Sequence, residues 1–201
     1  MSLHAPTRKS MQQMLDVCAE YCREFCLRFN AGKTKLMVFG KVTNNIALLS
    51  NILFQGIRLD YVESCKYLGF HVVSGLHFKL SIQKDICSFF GSANSILNSM
   101  IKPKQNVLIR LLYSNCVPRL TYGAPVKDLT APEKQQLNVA VNNAIRRIFG
   151  FRLWQSIRQL RDYYGFQPIE IMFENAKKRF YRELPNHRNG TLRFLSSLEI
   201  L

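Results

Sequence analysis

The chain has 201 residues, 47% of them apolar, with 28 Lys and Arg against 13 Asp and Glu and a formal net charge of +15. That length holds one ordinary domain or two small units, and the apolar share supports a packed core, which excludes global disorder. An excess of cations on this scale favours a polyanionic partner, and without an apolar run of roughly 18 residues or an apolar N-terminal stretch the sequence reads as neither membrane-spanning nor secreted.

Residues 8–29 carry the clearest helical period. Met11, Met14, Leu15, Cys18, Cys22, Phe25, Cys26 and Phe29 recur at three- and four-residue steps, with Gln12, Asp16, Glu20, Arg23 and Arg28 on the other face. Ser10 with Gln13 has the form of a capping box, Thr7 is the alternative start, and Asn30-Ala31-Gly32 is the stop. A strand-rich stretch follows. Residues 36–39 form a short apolar run, Asn44 and Asn45 a turn, and 52–54 and 57–61 a hairpin around Gln55-Gly56. Residues 67–73 read as a further strand, crossed by Gly69.

The rest is helical in pattern. Ile82, Ile86, Phe89, Phe90, Ala93, Leu97 and Met100 form one stripe, which Pro103 ends, and a helix over 107–116 stops before Pro118. Thr130-Ala131-Pro132-Glu133 is a capping box with proline in the first turn. It opens a helix that buries Leu137, Ala140, Val141, Ala144, Ile145 and Ile148 and closes at Gly150. A shorter helix spans 153–164. Pro168 opens another, to residue 184, with Ile169, Met172, Phe173, Ala176 and Phe180 inward. Residues 186–190 are a loop before a short C-terminal helix. The predicted class is α+β: a small antiparallel sheet within residues 34–73, then a helical bundle.

Several groups invite chemistry. Gly32-Lys33-Thr34 has the ending of a phosphate-binding loop, but Leu27 stands where that motif needs glycine and the order of strand and helix is reversed. Cys18, Cys22 and Cys26 share a helical face. No CxxC or His pair completes a tetrahedral set, so the thiols read as core. With no secretory signal, all six cysteines are expected as reduced thiols inside the cell, in nucleus or cytoplasm. His4, His71, His77 and His187 sit in no catalytic motif. The basic residues are the remaining feature. Arg146, Arg147, Arg152, Arg158 and Arg161 crowd around Gly150, and Lys177, Lys178, Arg179 and Arg182 follow, with Trp154, Tyr163, Tyr164 and Tyr181 interleaved. Cations hold phosphates and aromatic faces stack on bases. The same cations also suit helix C-termini and a solvated face, so both readings stand at this point.

Phe29-Asn30-Ala31-Gly32-Lys33-Thr34-Lys35-Leu36-Met37-Val38-Phe39 resembles the "FN..KTK.MVF" stretch of non-LTR (LINE-type) retrotransposon reverse transcriptases. Lys66-Tyr67-Leu68-Gly69-Phe70 is similar to their "KYLG" element, the primer grip. Leu112-Tyr113-Ser114, Pro118 and Leu120-Thr121-Tyr122-Gly123 resemble the thumb, as do 144–150 and 156–160. The order and spacing of these motifs carry the resemblance, over residues 3–184.

The resemblance implies the end of a polymerase palm (residues 1–75, with motif D and motif E), a helical thumb (76–184) and a C-terminal tail with a short helix (185–201). Lys33 falls where the motif D lysine is expected, near the incoming nucleotide's phosphates. Tyr67, Leu68 and Gly69 would form the hairpin against the primer end. The family's catalytic Mg²⁺ ions belong to the intact polymerase, held by an aspartate pair, and no Asp-Asp pair occurs in this sequence. The expectation is therefore a truncated reverse transcriptase fragment that binds template–primer, RNA or an RNA–DNA hybrid with low sequence preference, and is inactive alone, with no cofactor or metal of its own. Arg146, Arg147, Arg152, Lys178, Arg179 and Arg182 are the expected phosphate contacts. The alternative is a stand-alone helical module, for nucleic-acid binding or protein interaction, on the same scaffold. A membrane-surface role is the weaker reading, because no helix pairs a dense cationic face with a broad apolar one.

Overall fold

A computed structural model describes residues 2–40, 51–99 and 103–197. The expected turn at Asn44 and Asn45, and Met100 in the apolar stripe, lie outside them. The protein is mixed α+β, 58% helical with small sheets. The chain divides into two units, Met1–Ser81 and Ile82–Leu201.

In the first unit, helix α1 (Arg8–Glu24) starts at Thr7, whose hydroxyl accepts the Ser10 amide at 3.1 Å. Its buried face is Leu15 and Cys22. Leu15 joins Leu36, Ile52, Phe54 and Leu59 in one small core. From the polar face, Gln12 acts as a strand partner: its amide donates to the Leu53 carbonyl at 2.8 Å and accepts the Leu53 amide at 3.0 Å.

The helix ends well short of the expected residue 29. Cys26 adopts a left-handed backbone (φ 52), and the Leu27 amide bonds back to the Cys22 carbonyl at 2.9 Å. This is a Schellman turn with cysteine where glycine is usual. The apolar period runs on past the core it serves, so Phe25, Cys26 and Phe29 are exposed. A Cβ at that backbone costs energy that glycine avoids. Cys26→Gly is expected to raise stability by roughly 0.5–1 kcal/mol in urea unfolding. A loss of stability would contradict that reading of the turn.

The sheet differs from the single antiparallel one expected. Strands β1 (Lys35–Leu36) and β4 (Asp60–Tyr61) pair in parallel, with Lys35 Nζ 3.1 Å from Asp60 Oδ2. Strands β2 (Leu53–Phe54) and β3 (Ile57–Arg58) form the expected hairpin. Gln55 (φ 53) and Gly56 (φ 77) both take left-handed backbone, as a two-residue type I′ turn requires. Residues 67–73 are not one strand. Leu68 (φ 48) and Gly69 (φ 86) reverse the chain, so β5 (Ser64–Tyr67) and β6 (Phe70–Val73) form a second hairpin, with Tyr67 opposite Phe70. Strand β7 (Lys79–Leu80), unforeseen from the sequence, pairs with β6.

The second unit is helical: α2 (Gln83–Leu97), α3 (Gln105–Leu111), α4 (Val117–Thr121), α5 (Ala131–Phe149), α6 (Arg158–Tyr164), α7 (Ile169–Glu183) and α8 (Gly190–Ser197). Phe89, Ile109, Cys116, Val117, Leu120, Leu137 and Ile145 are fully buried in one core. Pro118 does not stop the chain. A π-helical turn, Leu112–Cys116, joins α3 to α4, and the Val117 amide reaches the Leu112 carbonyl. Proline has no N–H to return to the fourth residue back and its ring crowds that carbonyl; one wide turn accommodates both problems.

Helix α5 follows its sequence closely. Thr130 and Glu133 make the reciprocal capping box, Gly150 takes the left-handed position (φ 69), and all six expected apolar residues are buried. Asn138 is buried among them, and its Oδ1 accepts the Ile169 amide at 3.1 Å, capping α7 from a neighbouring helix. Helix α6 begins later than the expected residue 153, because 150–157 form turns held by the Gln155 side chain on the Arg152 amide at 2.6 Å.

Candidate nucleic-acid interface

Each cation's use within the fold decides what it has left to offer a ligand. Helix α7 presents Lys178, Arg179 and Arg182 on its exposed side, and none forms a side-chain hydrogen bond or ion pair with another described residue. Positions 178 and 182 lie one turn apart, with 179 beside them, so the three charges share one face. Lys177 is different. It is half-buried and paired with Asp128 Oδ1 at 3.3 Å. Tyr181 is exposed next to this face, its ring edge-on to Phe180 with centroids 5.8 Å apart.

The cations around Gly150 are partly committed to the fold. Arg146 is half-buried: its Nε donates to the Gln155 carbonyl and its Nη1 to Asn143 Oδ1, both at 2.9 Å. Arg147 is exposed but donates to Asn94 Oδ1 at 2.6 Å. Arg152 lies over the Trp154 ring, 5.9 Å from its centroid. Trp154 and Tyr163 are 76% and 82% exposed, so both rings have faces free for stacking.

The fold also brings three of the cations that crowd around Gly150 in the sequence to one cleft, an arrangement not anticipated from the sequence. Arg158 and Arg161 project from α6 and meet Arg146 of α5 around a cleft of about 420 Å³. Asn142, Ser156, Ile157, Asp162, Phe166 and Pro168 complete its wall. The same turn closes both helices: Phe151 N bonds to the Arg146 carbonyl at 2.8 Å and Phe166 N to the Arg161 carbonyl at 3.0 Å, with Gly150 and Gly165 in left-handed conformation. Arg146 and Arg161 therefore sit in the last turns of their helices, where a cation is stabilised by the helix dipole, while Arg158 is the first residue of α6. The i, i+3 spacing of 158 and 161 was the available signal; Arg146 joining them is a tertiary fact.

The remaining expected residues, Lys33 and Tyr67–Leu68–Gly69, lie in the first unit. Lys33 is exposed at the end of a short 3₁₀ turn, Ala31–Lys33, closed by Asn30 Oδ1 on the Lys33 amide at 3.1 Å. Tyr67, Leu68 and Gly69 form the tip of the β5–β6 hairpin, with Leu68 71% exposed. Of the three cysteines on one helical period, Cys22 is core, Cys18 half-buried and Cys26 exposed. Among the described residues no three His, Cys, Asp or Glu side chains converge as a metal site. No step through Mg²⁺ is assigned to these residues. Nor is any helix among those residues long and apolar enough to cross a membrane.

Compared with profiles of protein families, with curated proteins and with solved structures, the chain matches none of them.

Proposed function

We propose that this chain is the end of the palm and the thumb of a LINE-type reverse transcriptase, and that its task is to hold template–primer through phosphate contacts. The observation that carries the binding reading is the uncommitted row Lys178, Arg179 and Arg182 on an exposed face of a chain with net charge +15. Exposed cations without internal partners lose little on meeting phosphates and gain by releasing condensed counterions. The polymerase reading rests on the order of the motifs from Phe29 to Leu160. The tip at Tyr67–Leu68–Gly69 is compatible with it: an exposed leucine held at positive φ is costly for the hairpin and available for contact with a strand end.

With no aspartate pair in its sequence, the chain alone is inactive as a polymerase, and Lys33 is a solvated residue without a reaction to serve. Purified protein on a primed RNA template with Mg²⁺ or Mn²⁺ is expected to give no DNA synthesis. Template-dependent incorporation above a no-enzyme control, surviving a contaminant check, would overturn that expectation. The polymerase origin has its own test. In-frame coding sequence upstream of Met1 with a YxDD box supports it; a unique, non-repetitive flank points to a stand-alone module. One observation favours that second reading. Leu153 and Trp154, in the turns between α5 and α6, are 72% and 76% exposed, which suits a protein partner as well as a base.

A further inference from the structure

We infer that the cleft between the ends of α5 and α6 is a phosphate pocket, built by Arg146, Arg158 and Arg161 to hold one phosphate group of the nucleic-acid strand. The inference rests on the nucleic-acid reading above and locates its specific anchor, apart from the row on α7.

Three observations support it. First, three guanidinium groups and one carboxylate, Asp162, line the cleft, leaving a local charge of +3 − 1 = +2. No described carboxylate pairs with any of the three arginines. A cleft of that charge suits a phosphate better than a single carboxylate, and guanidinium forks match phosphate oxygens in pairs.

Second, one of the arginines lining the cleft carries a buried donor without a partner among the described residues. Arg161 Nε is buried and has no hydrogen-bond partner, although its Nη2 is fixed by Asn142 Oδ1. A buried charged donor left unpaired is costly, and a small turn of the Arg161 side chain toward an oxyanion in the cleft would satisfy it. Besides Arg161 Nε, the Tyr113 hydroxyl is the other buried side-chain polar atom without a partner among the described residues. Its ring stacks on Phe166, a wall of the cleft, with centroids 3.8 Å apart. Burial pushes the Tyr113 hydroxyl up to about 12, with Arg161 opposing the rise, so it stays a protonated donor.

Third, two of the three arginines are held in place before any ligand arrives. Arg146 is fixed by Gln155 and Asn143, and Arg161 by Asn142. Arg158 is exposed and has no side-chain partner among the described residues, so it can close on the anion. The Ser156 hydroxyl accepts the Arg158 amide at 3.3 Å, which leaves its own proton available.

The test follows the Nε–Hε resonance of Arg161 by NMR in the full chain. The titrants are inorganic phosphate and single-stranded RNA oligomers with and without a 5′-phosphate. Phosphate should shift that resonance at saturation. Arg158→Ala, an exposed change that leaves the fold intact, should weaken phosphate binding roughly tenfold. Arg161→Lys keeps the charge but removes the fork, and should weaken it similarly. Asp162→Asn should tighten it. The phosphate-induced shift of the Arg161 resonance should persist in the Lys178, Arg179 and Arg182 triple alanine variant, because that resonance reports the cleft and not the row on α7. Tighter binding of the 5′-phosphorylated oligomer identifies a terminal phosphate as the occupant, and equal binding identifies an internal phosphodiester. If oligomers bind while the Arg161 resonance stays fixed and both arginine variants bind as the parent does, the pocket is overturned and the wider nucleic-acid reading survives. If phosphate moves the resonance but no oligomer binds, the pocket survives as a small-anion site and the nucleic-acid reading falls.

Discussion

Replacing Lys178, Arg179 and Arg182 together by alanine is expected to weaken nucleic-acid binding on the order of a hundredfold at 0.1 M salt, equally for unrelated sequences. Each cation that contacts phosphate releases about one condensed counterion. The slope of log affinity against log salt should therefore flatten by about two to three units. The fold should not suffer, because none of the three side chains is bonded to another described residue. Tyr181→Ala should act differently: a stacking ring contributes without a counterion, so single-strand affinity falls while the slope is unchanged. The competing view gives these cations only a capping and solubilising role. It requires lower thermal stability of the triple variant with unaltered affinity, and circular dichroism beside the binding curve separates the two.

The largest expected effect on stability belongs to Lys127. Its side chain is 3% exposed, and its Nζ lies 2.6 Å from Asp85 Oδ2, with the Leu120 carbonyl at 3.4 Å. The Asp85 carboxylate is itself only 16% exposed. Removing one partner strands the other in a poorly solvated site, so Lys127→Ala is expected to cost about 3–5 kcal/mol. That is a large fraction of the stability of a unit this size, and urea unfolding would show it as a lower midpoint. Asp85→Leu combined with Lys127→Met should recover much of the loss, because a well-packed apolar pair avoids the desolvation penalty. A Lys127→Ala variant within about 1 kcal/mol of the parent would show that water or a neighbour replaces the pair.

What the sequence disclosed depended on whether the signal was local. Helix α5 was legible from end to end, because the Thr130 box, the apolar period and Gly150 all lie inside it. The Gln55-Gly56 hairpin was legible for the same reason. The β5–β6 turn was missed because Leu68 is a poor residue for positive φ, and the apolar run through Tyr67, Phe70 and Val72 hid the reversal. Pro118 misled as a breaker because a π turn absorbs it. The parallel pairing of β1 with β4 joins segments 25 residues apart and leaves no trace in either. In the same way, nothing local around Lys127, between Pro125 and Pro132, marks it as buried, yet its side chain is 3% exposed beside Asp85. Among the binding residues, exposure and local density pointed to α7. The cleft required knowing that Arg146, twelve residues before Arg158, turns back to face it.

The central claim is that this chain grips nucleic acid through phosphates. A fluorescence-anisotropy titration of the parent protein on a labelled RNA strand and an RNA–DNA hybrid, repeated at several salt concentrations, tests it most directly. The expected result is a dissociation constant that rises steeply with salt, by roughly one log–log unit per phosphate contacted, and that changes little between unrelated sequences. A dissociation constant indifferent to salt, or no binding even at low salt, would contradict the claim.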